Sequence, residues 1–293
     1  MTTVATPSAA QRQQHYILTI FGLYSRLNGE PLQISHLIAL LHALGVEDAS
    51  IRSSVSRLKR RGVLVSVRAG GAAAYQLSPE LEAVFREGDA RIFAPRRAMV
   101  ADPWLLVSFS IPENERHLRH QLRTILTRLG CGQVSPGLWI ATEQIFAELD
   151  STLERDGLRD YVDLFLAGHV ARGSTAAAIR RWWDLDALDR LYRDFVDRWS
   201  AVAGGMDDST PDDEQFAAQI GLLTEWRRLP YLDPGIPLEH LSADWSGVTA
   251  EQLFLELFAT LQPAAERFVE SVTGRRAVSS TIGSSGRPLP ATR

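Results

Sequence analysis

Between Ile51 and Arg68 every charged side chain is a cation: Arg52, Arg57, Lys59, Arg60, Arg61 and Arg68, with no acid among them. The same stretch carries one apolar stripe, Ile51, Val55 and Leu58, at the three-to-four-residue spacing of a helix. Such a helix can pack on one side only. The other side, with Arg52, Ser53, Ser56, Arg57 and Arg60, must face water or a polyanion. Arginine forks pair bidentately with guanine, and small hydroxyls hydrogen-bond phosphates or base edges, so this face suits a helix lying in a major groove. The plainer alternative is a solvated basic face, and the surrounding elements weigh against it.

Upstream, HYILTIFGLYSRL places Ile17, Ile20, Phe21 and Tyr24 at helical spacing, and ISHLIALLHALG repeats Leu37, Leu40, Leu41 and Leu44 before stopping at Gly45. Glu47 and Asp48 put acids in the first turn of the basic helix, and Gly62 ends it. VLVSVR and AAYQLS then read as two strands around a glycine turn, and LEAVFREGDARIF as a linking helix. Helix, turn, basic helix and hairpin make residues 15–93 a winged helix-turn-helix, with Arg68 and the Gly70-Gly71 tip placed against backbone or minor groove.

Bulk composition alone points the other way. The 293 residues carry a formal net charge of −4, which argues against a protein that coats DNA through global positive charge. The charge is unevenly divided, however. Residues 15–98 hold 11 basic and 7 acidic side chains (+4), whereas residues 180–273 hold 8 basic and 18 acidic (−10). The length suits two or three domains. The single cysteine, Cys131, excludes a disulfide scaffold and any multi-cysteine metal site. No run of about 18 apolar residues exists, and the N-terminus has no apolar signal core, so the expected location is the cytoplasm, away from any membrane.

The middle, residues 94–175, alternates: strand WLLVSFSIP, helix ENERHLRHQLRTILTRLG, strand VSPGLWIA with a Pro-Gly break that can split it, helix EQIFAELDSTLERDG, strand YVDLFLAGHV. That order suits a ferredoxin-type α/β sandwich. Residues 176–273 read as helix, one long segment running AAIRRWWDLDALDRLYRDFVDRWS, apart from the proline-rich stretch PYLDPGIPLEHLSADWSG. Residues 1–14 and 274–293 lack periodicity and are expected to be disordered tails. The fold class is therefore α+β and multidomain.

The stretches LLHALGVEDASIRSSVSRLKRRG, WLLVSFSIPENERHLRHQLRTILTRLGCGQVSPGLWIA and EWRRLPYLDPGIPLEHLSADWSG with the following Leu253-Phe254 resemble, in this order, the PaaX family of transcriptional regulators. The match runs over roughly residues 15–272. The resemblance implies a winged helix-turn-helix, a Cas2-like middle domain and an all-helical C-terminal domain concerned with dimerisation and effector. It also implies a homodimer on double-stranded operator DNA, released by an aryl-acyl-CoA such as phenylacetyl-CoA, and thus a repressor of an aromatic, phenylacetate-type catabolic operon. Carried over onto this sequence, the DNA-facing residues are Arg52, Ser53, Ser56, Arg57 and Arg60, with Arg68 in the wing; the neighbouring cations Lys59 and Arg61 complete the candidate DNA-binding set.

For the effector, five of the seven tryptophans lie between 182 and 245. Aromatic walls stack on aryl groups, and guanidinium groups suit phosphates. The candidate pocket is Trp226, Arg227, Arg228, Tyr231, Asp233 and Trp245. The alternative is that the tryptophans fill core and Asp233 pairs with an arginine to pin the loop.

Three other readings stay open. One is a regulator of the same family sensing another acyl-CoA or aromatic acid. Another is a metal-dependent nuclease in the Cas2-like domain. Against it, the first strand ends Phe109-Ser110-Ile111-Pro112 with Asp102 before it and Glu113 beyond it, so no set of convergent oxygen ligands is evident. The third is an acidic protein-interaction adaptor. His117 and His120, three apart, read as helix surface, Cys131 as inert burial, and Asp207, Asp208, Asp212, Asp213 and Glu214 as a solvated acidic loop. No catalytic residue, metal or cofactor is expected.

Overall fold

The computed structural model describes residues 8–26, 29–170, 174–207 and 209–276. It divides into two compact units, each assembled from separated stretches of chain. One unit takes residues 1–94, 195–226 and 251–293; the other takes 95–194 and 227–250.

The first unit opens with α1 (Ala9–Tyr24), so helix reaches back into the expected tail. The cause is a capping box: the Ser8 side chain accepts the Gln11 N–H, and the Gln11 side chain accepts the Ser8 N–H. Residues 1–7 lie outside the described residues. A short strand β1 (Leu32–Gln33) leads into α2 (Ile34–His42), then α3 (Asp48–Arg60), β2 (Leu64–Ala69), β3 (Ala72–Leu77) and α4 (Glu82–Phe93). The strands form one antiparallel sheet in the order β1-β3-β2. β1 was not foreseen; a two-residue strand leaves no periodicity to read.

The turn from α2 to α3 is a Schellman motif. Gly45 N–H donates to the His42 carbonyl at 2.8 Å and Val46 N–H to the Leu41 carbonyl at 3.1 Å. The motif requires the left-handed backbone that Gly45 adopts, φ 70°, where a side chain would be strained. The same bond pattern closes α3, from Gly62 to Lys59 and from Val63 to Leu58. At the hairpin tip Gly70 and Gly71 have φ 59° and 80°, as a two-residue turn with matching twist demands.

The second unit contains β4 (Trp104–Phe109), α5 (Arg116–Arg128), β5 (Gly132–Ser135), β6 (Leu138–Thr142), α6 (Phe146–Arg155) and β7 (Val162–Ala167). The Pro136-Gly137 break does split the third expected strand into a hairpin, β5 and β6. Strand order is β5-β6-β4-β7 and all pairings are antiparallel, as in a β-α-β-β-α-β sandwich. Leu105 and Val107 of β4 point into a core closed by Leu122, Ile125 and Leu126 of α5 and by Leu149 and Leu153 of α6. Cys131 is buried in the same core.

The remainder is helical: α7 (Thr175–Trp182), α8 (Leu185–Gly204), α9 (Asp212–Trp226), α10 (Leu229–Leu232) and α11 (Ser246–Thr273). The single long segment expected from residue 177 onward breaks between α7 and α8. Trp183 is extended there, with φ −130° and ψ 143°, and the Asp184 carboxylate accepts the Ala187 N–H at 3.0 Å as a fresh N-cap. The proline-rich stretch begins with one helical turn, α10, makes a 3-10 turn at Leu238–His240 and ends in the first residues of α11. Asp212, Asp213 and Glu214 form the first turn of α9, where the helix dipole favours them, rather than a loop. Asp208 and residues 277–293 lie outside the described residues, whereas Gly274 N–H bonds back to Glu270 at the end of α11. Among the described residues no helix is long and apolar enough to cross a membrane.

Candidate nucleic-acid interface

α3 divides cleanly. Ile51, Ser54, Val55 and Leu58 are buried at i, i+3, i+4 and i+7, and α1 and α2 pack on that side. Arg52, Ser53, Ser56, Lys59 and Arg60 are exposed along the opposite side, and Arg61 is exposed at the C-cap. Arg52, Lys59, Arg60 and Arg61 form no ion pair among the described residues, so their charge is available to a partner. Arg57 differs. It is half-buried and donates to the Ser54 hydroxyl at 3.3 Å, so it braces the helix as well as adding charge. Arg68 is exposed near the end of β2, separated from the Gly70-Gly71 turn by Ala69 alone. The eight sequence-derived positions therefore fall on one helix face, its C-cap and the adjoining hairpin.

The six effector candidates are distributed otherwise. Trp226 is 1 % exposed and fills the core of the first unit, stacked on Phe254 at 4.7 Å between centroids and tilted against Phe195 at 5.4 Å. Its indole N–H donates to the Ile92 carbonyl at 2.9 Å. The other five belong to the second unit. Asp233 is the hub of the proline-rich stretch. Its carboxylate pairs with Arg97 at 2.7 Å, accepts the Tyr192 hydroxyl at 2.9 Å, and accepts the Gly235 N–H at 2.8 Å. Arg97 also donates to the Ile236 carbonyl at 3.3 Å, and Thr142 to the Pro234 carbonyl at 3.0 Å. Gly235 comes so close to the chain at Arg96 that a Cβ would lie 2.8 Å from that carbonyl. Trp245 is buried against Tyr192, ring centroids 5.8 Å apart.

Arg227 and Arg228 have neither an ion pair nor a hydrogen bond among the described residues. Burial pushes the Arg227 guanidinium down to about 10, and Arg228 beside it pushes the same way; Tyr231 acts against both. The described tryptophans do not gather into one wall. Trp199 and Trp226 belong to the first unit, and Trp182, Trp183 and Trp245 to the second. Trp182 and Trp183 pack on Trp104 of β4, each with centroids 6.1 Å away. Sequence reasoning missed Arg97 as the partner of Asp233, because 136 residues separate them and nothing local marks the pair.

Asp102 lies in the turn before β4 and accepts the Met99 N–H at 2.8 Å, and Glu113 pairs with Arg119 at 3.1 Å. His117 and His120 lie on α5 and are exposed, as expected of helix surface. Among the described residues no group of three His, Cys, Asp or Glu side chains sits at metal-binding spacing.

Fold and site together define a mixed α+β protein, with helical N- and C-terminal regions, a sheet domain in the middle of the sequence and one displayed cationic helix. The profile of PaaX-like proteins matches residues 12–81, that of the PaaX central Cas2-like domain residues 97–179, and that of the PaaX-like C-terminal domain residues 183–271. The chain belongs to the PaaX family. It is 26 % identical over 261 residues, 86 % of its own length and 81 % of the relative's, to the transcriptional repressor PaaX of Escherichia coli K12. Its fold also resembles the solved structure of an uncharacterized protein from Mycobacterium tuberculosis, with a TM-score of 0.56 at 22 % identity over 87 % of this chain and 98 % of that one.

Proposed function

We propose that this protein is a DNA-binding transcriptional repressor, working as a homodimer in the cytoplasm. Residues 15–93 act as a winged helix-turn-helix, residues 94–175 as the Cas2-like domain and residues 176–273 as the C-terminal domain. The observation that carries the reading is the outward face of α3, where Arg52, Ser53, Ser56, Lys59 and Arg60 are exposed and the cations unpaired among the described residues. α3 enters the major groove, with Arg61 and Arg68 on flanking phosphates. A two-fold dimer then reads an inverted repeat. The name of the Escherichia coli relative supports repression rather than activation.

The effector is an aryl-acyl-CoA of the phenylacetyl-CoA kind, and the target an aromatic catabolic operon. Support within this chain comes from Arg227 and Arg228, partly buried cations without a counter-charge among the described residues and suited to an anionic group. Trp226, Asp233 and Trp245 hold the surrounding structure in place. Tyr231 stands close to the pair in sequence and completes the candidate set. A gel shift on the protein's own upstream region, titrated with acyl-CoAs, tests both parts. Salt-sensitive retardation is expected, reversed by one ligand class. Absence of retardation at low salt overturns the DNA-binding reading. Unchanged release after Arg228→Ala overturns the arginine assignment.

A further inference from the structure

The two edges of the central sheet are built differently. β5 is a poor edge for pairing: its register slips between Gln133 and Ser135, and Trp183 lies so close to Gly132 that a Cβ there would be 2.7 Å from the ring. Bulges and coverage of this kind are how sheets protect an edge. β7 has neither. It pairs with β4 without interruption over all six residues, Val162 to Ala167, and its other side has no strand neighbour among the described residues. Its one charge is Asp163. Phe165 and Leu166, successive residues that point to opposite faces, are 52 % and 51 % exposed. Met99, Val100 and Val170 add exposed apolar surface where the chain enters β4 and leaves β7. A regular, nearly uncharged edge flanked by apolar side chains is a template for another strand.

The geometry points to β7 as the seam at which two copies of this chain meet, strand against antiparallel strand about a two-fold axis at Phe165. The proposal rests on the dimeric reading above and gives it a surface. Self-pairing is selected by charge and face. Centred on Phe165, the register sets Leu164 opposite Leu166 on one face and Phe165 opposite itself on the other, while Asp163 meets Ala167. The two aspartates then stand about 13 Å apart, at roughly 3.3 Å per residue. A register centred on Asp163 would set like charges directly opposite, which is destabilising. One centred on Leu164 would set Asp163 against Phe165. The joined sheet would have eight strands, with the bulged β5 strands as its outer edges.

Light scattering coupled to size exclusion on the full chain tests this. Wild type is expected at twice the 32.5 kDa chain mass. Phe165→Asp and Leu166→Asp should each run at chain mass, with unchanged circular dichroism, and Val134→Asp on the β5 edge should stay dimeric. Phe165→Cys supplies a readout that needs no loss of assembly. Cross-strand Cα separations of about 4.5 or 5.5 Å both fall inside the disulfide range, so mild oxidation should give a covalent dimer, with buried Cys131 as little background. If wild type is dimeric, the Asp variants stay dimeric and the Phe165→Cys variant does not cross-link, the seam lies elsewhere and only this proposal falls. If wild type has chain mass, the seam and the dimeric reading fall together.

Discussion

The unpaired cations of α3 set the terms of any encounter with a polyanion. Removing a single phosphate-binding side chain should flatten the dependence of log affinity on log salt by about 0.9. Arg52→Ala and Arg60→Ala should therefore each weaken binding to the protein's upstream DNA and lower that slope by about this amount, read by fluorescence anisotropy across a salt series. Arg57→Ala should do more than shed a charge. It removes a donor to buried Ser54, so its loss of affinity should come with a lower unfolding midpoint, which Arg60→Ala should lack. At Asp233 the stakes are structural. Its carboxylate is 9 % exposed and its partner Arg97 22 %, and breaking a buried ion pair by removing one partner costs roughly 3–5 kcal/mol. Asp233→Asn should cost at least part of that in denaturant titration. The outward cations were legible in the sequence because a helix with one apolar stripe has one way to face. That Asp233 could pair with an arginine and pin its stretch was also legible, but Arg97 as that arginine was not, since nothing local links two residues 136 apart.

Among the elements, α1 holds the most informative position within its unit. It packs on α3 and, through a buried polar seam, on α9. The hydroxyls of Thr19 and Thr224 are 2.8 Å apart, and the Tyr24 hydroxyl donates to Gln219. The Gln219 amide nitrogen finds no partner among the described residues. Burial pushes the Tyr24 phenol well above its ordinary range, with Glu266 adding to the shift, so Tyr24 stays a neutral donor throughout the working pH range. Thr19→Val alone should cost about 1–3 kcal/mol by orphaning its partner, whereas Thr19→Val with Thr224→Val should be close to neutral. A double variant whose cost equals the sum of the two single costs would show that the pair is not coupled. In the second unit, Gly132→Ala should destabilise by about 1–3 kcal/mol through overpacking against Trp183, seen as a lower midpoint by tryptophan fluorescence. Most elements could be read from apolar period and glycine stops. The Ser8–Gln11 cap was equally readable, but the small polar residues around it lack the apolar stripe that draws attention to a helix. The break at Trp183 was easily overlooked, because Trp182 and Trp183 continue a plausible helical pattern and its one local signal is Asp184, the N-cap of α8.

At the scale of the whole molecule the net charge of −4 conceals a basic N-terminal stretch and a strongly acidic C-terminal one. Linear reading separates them into successive modules. The first compact unit instead gathers residues 1–94 with 195–226 and 251–293, so the basic stretch shares its core with acidic helices. Trp226 shows why: its ring lies between Phe195 and Phe254, and its N–H reaches Ile92, joining all three stretches. Tryptophans in a sequence mark large apolar volume but not which core it fills, so the expected aromatic pocket could not be checked before the fold was known. This interleaving has a consequence for synthesis. As the chain leaves the ribosome, α1 to α4 emerge long before α9 and α11, and Ile92 and Thr19 wait for Trp226 and Thr224, 134 and 205 residues further on. A nascent chain stalled after residue 94 should still be accessible to protease, and the cationic helix α3 should become fixed only when α9 and α11 are complete. Formation of the cationic face of α3 is thereby tied to synthesis through α11, and products truncated before that helix should lack a stable one.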